Sequence, residues 1–229
     1  MPRPSRNVDE RLLAAGRELY PDAGAAGLSI RRIAERAEAN LGMFHYHFRT
    51  KDQFVRRLLQ SMYDEMFASL ELAASAGAPV AALRGALNVL GRFGRDNGRL
   101  LRRLIADALA NEPLALEFLR TNMPRHVGVV MGLIVAGQKA GALRPMAPAQ
   151  ALAFLAGSVA APIVVGGAIA ERALVPGVTV DLAALIGSDE AIAERVDCAL
   201  AGIAAGAVPP ATRSPSARAP ATRSERRRK

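Results

Sequence analysis

The sequence has no tryptophan, one cysteine and three histidines in 229 residues. A single thiol, Cys198, excludes an intramolecular disulfide and suits a reducing compartment, so the chain is expected to be cytoplasmic. Metal chemistry is short of ligands. His45 and His47 lie two apart, which on a helix points them to different faces, and no cysteine or third histidine stands near them. The sequence also lacks a Walker motif, a glycine-rich loop between strand and helix, a nucleophile beside a base and paired carboxylates. No enzyme activity, metal or cofactor is expected. Strand-like alternation of any length is missing. The basic start Met1–Asn7 runs into an amphipathic stretch rather than an apolar one, so it does not read as a signal peptide.

What is present is apolar and unevenly charged. Half of the residues, 51%, are hydrophobic, enough for a sizeable core, and the length suits one small and one larger domain. The net charge of +9 sits at the ends. Residues 1–57 carry 11 Lys and Arg against 7 Asp and Glu, residues 58–206 carry 12 against 13, and residues 207–229 carry 7 against 1. Such an asymmetry fits a nucleic-acid-facing end and a middle that faces itself or a neutral ligand.

Helical periodicity runs almost throughout, which predicts an all-α fold. Val8, Leu12, Ala15 and Leu19 mark a helix that Pro21 is expected to end. Thr50-Lys51-Asp52-Gln53 has the form of a capping box and opens a long strut reaching about Ala74. Further helices are expected over Val80–Phe93, Arg99–Ala110 and Leu114–Ala140, the last with a break or kink at Pro124. Residues 149–170 contain no charge. They are long enough to cross a membrane, but Gln150, Ser158, Pro162 and three glycines favour a buried subunit interface instead. Leu174–Gly187 reads as a loop bounded by proline and glycine, after which Ser188 caps a last helix to Ala204. The tail from Ala207, rich in Pro, Ser, Thr and Arg, is expected to be disordered. It serves either solubility or nonspecific DNA affinity.

The most informative stretch is Ser29–Phe48. Ile30, Ile33, Ala34 and Ala37 form one apolar stripe behind the N-cap Ser29, and Asn40 is placed to cap a second helix about three residues later. That is the connection of a helix-turn-helix. Phe44 and Phe48 can pack back on the stripe, which leaves Gly42, Met43 and Tyr46 outward, with Leu41 and His45 able to face either way.

The run from Arg11 to Phe54, with Ser29-Ile-Arg-Arg-Ile-Ala-Glu-Arg-Ala, Gly42-Met-Phe-His-Tyr-His-Phe and Thr50-Lys-Asp-Gln-Phe, resembles the N-terminal domain of the TetR family of bacterial transcriptional regulators. The resemblance implies a three-helix helix-turn-helix DNA-binding domain at residues 1–57, whose strut continues to about residue 75. A larger helical ligand-binding and dimerisation domain at 58–206 and the basic tail at 207–229 follow. It also implies DNA contact by Ser29, Arg31, Asn40, Leu41, Gly42, Met43, His45, Tyr46, His47 and Lys51. Arg31 and Lys51 suit phosphate, Met43 and His45 suit base edges, and Leu41 and His47 serve equally as contacts or as bracing. One position departs from the family pattern: Glu38 stands where glycine is usual. Gly137–Pro145 resembles the hinge that precedes the family's last helices.

A homodimer through the two C-terminal helices, a palindromic operator and a small apolar or amphipathic effector are the implied partners, and a membrane is not. The expected role is a ligand-released repressor. The alternative is an architectural protein binding DNA nonspecifically through its basic ends. Met62, Met66, Phe93, Phe118, His126 and Phe154 are candidates for the effector pocket, each equally readable as a packed core residue. Cys198 is expected to fill a buried interface rather than to sense redox state.

Overall fold

In a computed structural model the chain is described over residues 7–171 and 182–206. These residues form ten helices: α1 (Val8–Gly27), α2 (Ile30–Arg36), α3 (Leu41–Phe48), α4 (Lys51–Ala74), α5 (Pro79–Asp96), α6 (Gly98–Leu109), α7 (Pro113–Lys139), α8 (Pro148–Glu171), α9 (Leu182–Gly187) and α10 (Asp189–Ile203). No strand occurs among the described residues, where an isolated bridge links Leu143 to Ala204. The fold is all-α, as expected. Met1–Arg6, residues 172–181 and the tail from Ala207 lie outside the described residues.

Side-chain caps fix several helix starts. The side chains of Ser29, Asn40, Thr50 and Ser188 each accept the amide three residues on, so each supplies an acceptor that the first turn lacks. The Thr50 box is only half made, because the Thr50 amide donates to the Phe48 carbonyl.

Three expectations are corrected. Pro21 does not end α1: a proline φ is compatible with a helix and one lost ladder bond is tolerated. The helical path is broken instead at Gly24, whose φ of 65° and ψ of −179° only glycine adopts without strain. Helix α7 runs through Pro124 as one element, so of the break or kink expected there the break is excluded. The segment read as a loop to Gly187 has a short helix, α9, at its end.

Helix α4 packs on α1, α5 and α7. Its buried Phe54, Leu58 and Leu59 join Leu12, Tyr20, Ile33, Phe44 and Phe48 in a core that also takes in Leu100 and Leu104 of α6 and Leu114 and Ala115 of α7. Further along α4, Tyr63, Met66, Phe67 and Leu70 form a second cluster against α5. A third joins Leu83 and Leu87 of α5, Ile134 of α7, Leu155 and Val159 of α8 and Val196 and Leu200 of α10. The Gly137–Pro145 stretch is tied to the end of α10 by backbone bonds from Arg144 to the Ile203 carbonyl and from Ala205 to the Ala142 carbonyl.

Between α1 and α6 lies a buried polar joint. Asp107, 6% exposed, accepts from the Tyr20 hydroxyl at 3.2 Å, from the Ala25 amide at 3.0 Å and from Arg103 Nε at 2.8 Å. The Ala25 amide follows directly on the Gly24 break, so the carboxylate takes a donor that the interrupted helix leaves without a carbonyl. A Cβ on Gly24 would lie 2.3 Å from Arg103 Nη2, so the break is also the space in which the guanidinium sits.

Candidate nucleic-acid interface

Helix α3 is seated from behind and open in front. Phe44 is fully buried and Phe48 is 7% exposed, and the two rings meet each other and Phe54 at centroid separations of 5.0–5.6 Å. With that face anchored, Tyr46 stands 71% exposed and Leu41 48% exposed, beside exposed Gly42 and His45. The Tyr46 hydroxyl makes no hydrogen bond among the described residues. The first turn of α3 is capped, its Met43 amide held by Asn40 Oδ1 at 2.9 Å.

The ten expected contact residues divide by what else they do. Ser29 and Asn40 are caps, so their side chains are occupied by backbone. Arg31 is exposed and paired with Glu35 at 2.9 Å, an exposed i,i+4 pair that is weak enough to exchange for a phosphate. Lys51 is turned inward: its Nζ donates to the Ala26 carbonyl at 2.8 Å and so satisfies the end of α1. Met43 is half-buried against the core behind α3. His45 Nδ1 donates to the Arg49 carbonyl at 3.0 Å, which leaves Nε2 for an external partner. His47 is half-buried with Nε2 unpartnered among the described residues, in a cleft of about 240 Å³ shared with Asp9, Gln53 and Arg57.

Two residues on this side were not anticipated. Arg49 ends α3 with a positive φ of 57° and is exposed, and Arg32 is exposed on α2. Neither pairs with a carboxylate among the described residues. The signal for Arg49 was its place between the last core phenylalanine and the Thr50 cap, where the chain must reverse. Glu38 keeps the left-handed turn despite its side chain, with φ 51°.

The six body candidates do not share one cavity. Met62 belongs to the core beneath α1, while Met66, Phe93 and Phe118 meet in the α4–α5 cluster. His126 stands beside them, its Nδ1 3.4 Å from the Tyr63 hydroxyl, which itself donates to the Asn122 carbonyl at 2.8 Å. Burial pushes the His126 imidazole below its usual pKa. Phe154 faces outward at 44% exposure and lines a separate groove with Leu185 and Cys198. Cys198 is itself exposed in the single chain. Sequence reasoning passed over Tyr63 and Arg125, although the guanidinium lies 4.1 Å from the Phe67 ring centre and 5.2 Å from that of Tyr63.

The model of the family described as "Bacterial regulatory proteins, tetR family" matches residues 12–58, the span of this surface. That match places residues 12–58 in the TetR family of regulators. Among curated relatives it is 33% identical over 107 residues to the transcriptional repressor Rv3405c of Mycobacterium tuberculosis, a match covering 47% of this chain and 51% of that protein. It therefore spans about half the length of that relative. It is 26% identical over 144 residues to the regulator RutR of Escherichia coli, covering 63% of this chain and 68% of RutR. Solved TetR-type structures share the fold. The ketosteroid regulator KstR2 of Mycobacterium tuberculosis superposes with TM-score 0.63 at 18% identity, covering 88% and 96% of the two chains. PfmR of Thermus thermophilus gives TM-score 0.63 at 16% identity, covering 83% and 94%.

Proposed function

We propose that this chain is a sequence-specific DNA-binding regulator of the TetR family that acts as a homodimer in the cytoplasm, on a palindromic operator, as a ligand-released repressor. The observation that carries the reading is α3: anchored by Phe44 and Phe48, capped by Asn40, and exposed at Leu41, Gly42, His45 and Tyr46. A short helix held this way enters a major groove by its N-terminal end, where the helix amides favour phosphate. Residues 1–57 read DNA, residues 58–206 bind effector and partner, and the tail from Ala207 adds salt-sensitive affinity.

Helix α8 supports the dimer. It is long and apolar enough to cross a membrane by length and composition. One face packs Ala151, Leu155, Val159 and Ile163 inward, while Phe154 and Val165 remain 44% and 56% exposed. Small residues between them, Gly157 and Ala161, allow a second helix to approach closely. A second copy joined through α8 and α10 removes this apolar face from water and pairs the two readers about 34–36 Å apart, one turn of DNA. A ligand that binds the DNA-free arrangement more tightly shifts α4 and releases the operator.

The test is selection of bound duplexes from a random pool near physiological salt. An enriched inverted repeat is expected. No enriched motif, together with binding lost on removing 207–229, favours the architectural alternative.

A further inference from the structure

A groove of about 380 Å³ opens between α4 and α7, with Phe118 as its wall toward the cluster around Met66. Leu114 and Phe118 line its apolar side, and Arg56, Arg57 and Glu117 line its polar side. Arg56 spans the groove in a fork: Nε lies 2.9 and 3.1 Å from the two Glu117 oxygens, and Nη2 lies 2.9 Å from Oε2. Arg57 is exposed and makes no ion pair among the described residues. The groove therefore carries one positive charge in excess, beside a guanidinium already shaped to a carboxylate. The Glu117 carboxyl is held below its ordinary pKa by its hydrogen bond to Arg56.

We propose that this groove binds a small amphiphilic carboxylate, whose headgroup displaces Glu117 from Arg56 while its apolar part lies against Leu114 and Phe118. Arg56 and Glu117 are 48% and 52% exposed, so breaking their pair returns Glu117 to water at little loss. The incoming carboxylate restores the same two-point hydrogen bonding, and desolvation of its chain supplies the net gain. Arg57 neutralises the charge added. A volume of this size is in the range of small-molecule sites. Arg56 lies early in α4, close behind the Thr50 cap, so changing its partner acts on the strut next to the reader. Only this effector role rests on the proposed DNA-binding function.

Calorimetric titration of the full chain without DNA tests the site, with octanoate, octanol and octylamine as probes. Saturable octanoate binding is expected, about tenfold stronger than either of the others. Arg56→Gln is expected to weaken octanoate about tenfold, and Glu117→Gln, which removes the internal competitor, to strengthen it several-fold. Equal binding of octanol, or octanoate binding unaltered in both variants, overturns the site. Because no DNA is present, failure of the operator selection leaves this result standing. Once an operator is in hand, octanoate is expected to release it from the unmodified chain and not from Arg56→Gln. Saturable binding without release overturns the effector role alone.

Discussion

Asp107 holds Tyr20 across 87 positions of sequence: the Tyr20 hydroxyl, on a fully buried side chain of α1, donates at 3.2 Å to a carboxylate on α6. The same carboxylate takes the Ala25 amide and Arg103, so one side chain satisfies three donors at the joint. Replacing Asp107 by alanine leaves all three without their acceptor. A loss of about 3 kcal/mol in urea unfolding is expected, since removal of one member of a buried pair leaves the others uncompensated. Tyr20→Phe removes one donor together with the need for it, and is expected to cost under about 1.5 kcal/mol.

Glu38 occupies a left-handed turn with φ 51°. A side chain there costs roughly 1–2 kcal/mol, and glycine removes that strain while adding about 0.4–1 kcal/mol of unfolded-chain entropy. Glu38→Gly is expected to raise stability by about 0.5–1 kcal/mol, read as a higher urea midpoint at unchanged slope. Glu38→Val, β-branched in the same conformation, is expected to lower it.

Tyr46 and Lys51 separate reading from folding. Tyr46 is 71% exposed and its ring meets that of His47 edge-on, so Tyr46→Ala is expected to leave the unfolding midpoint unchanged and weaken operator binding about tenfold or more. Lys51→Ala removes the bond to the Ala26 carbonyl and is expected to lower both stability and affinity. Fluorescence anisotropy on a fixed operator, beside thermal unfolding, reads both.

His126 gives stability an acid limb. Its pKa is lowered in the folded chain by burial, so below the ordinary histidine value of about 6.5 the unfolded chain binds a proton that the folded chain resists. That contribution is present above pH 6.5 and declines as pH falls toward the folded value. The thermal midpoint of the unmodified chain is expected to fall between pH 7.5 and 5 by more than that of His126→Phe. Equal falls would show that other groups set the acid limb.

Val165 tests the assembly. It is 56% exposed on α8 in the single chain, and a buried charge at a helix–helix seam is strongly unfavourable. Val165→Glu is expected to convert dimer to monomer in sedimentation, with far-ultraviolet circular dichroism unchanged. Persistence of a dimer would move the interface away from α8.

What could be read from the sequence was what is local. The caps at Ser29, Asn40, Thr50 and Ser188 each bond an amide three residues on, so spacing alone reveals them. The buried face of α3 followed from Phe44 and Phe48 lying four apart. Long-range partners left no such mark. The Gly24 break is filled by Arg103, and Lys51 turns toward Ala26 rather than outward, because groups distant in sequence offer better partners there. Composition showed α8 to be apolar, but which side Phe154 takes depends on where α10 lies.

The core that seats the reader does not end with the reader. Leu12, Phe54 and Leu58 share it with Leu100, Leu104 and Leu114, and Asp107 closes it from α6. Residues 1–57 are therefore no interchangeable cartridge. Grafted onto the body of another regulator, they would carry half of an interior and expose the rest. A working chimera has to bring the facing residues of α6 and α7 along, so in this chain the helix-turn-helix and the inner wall of the helical body are inherited together.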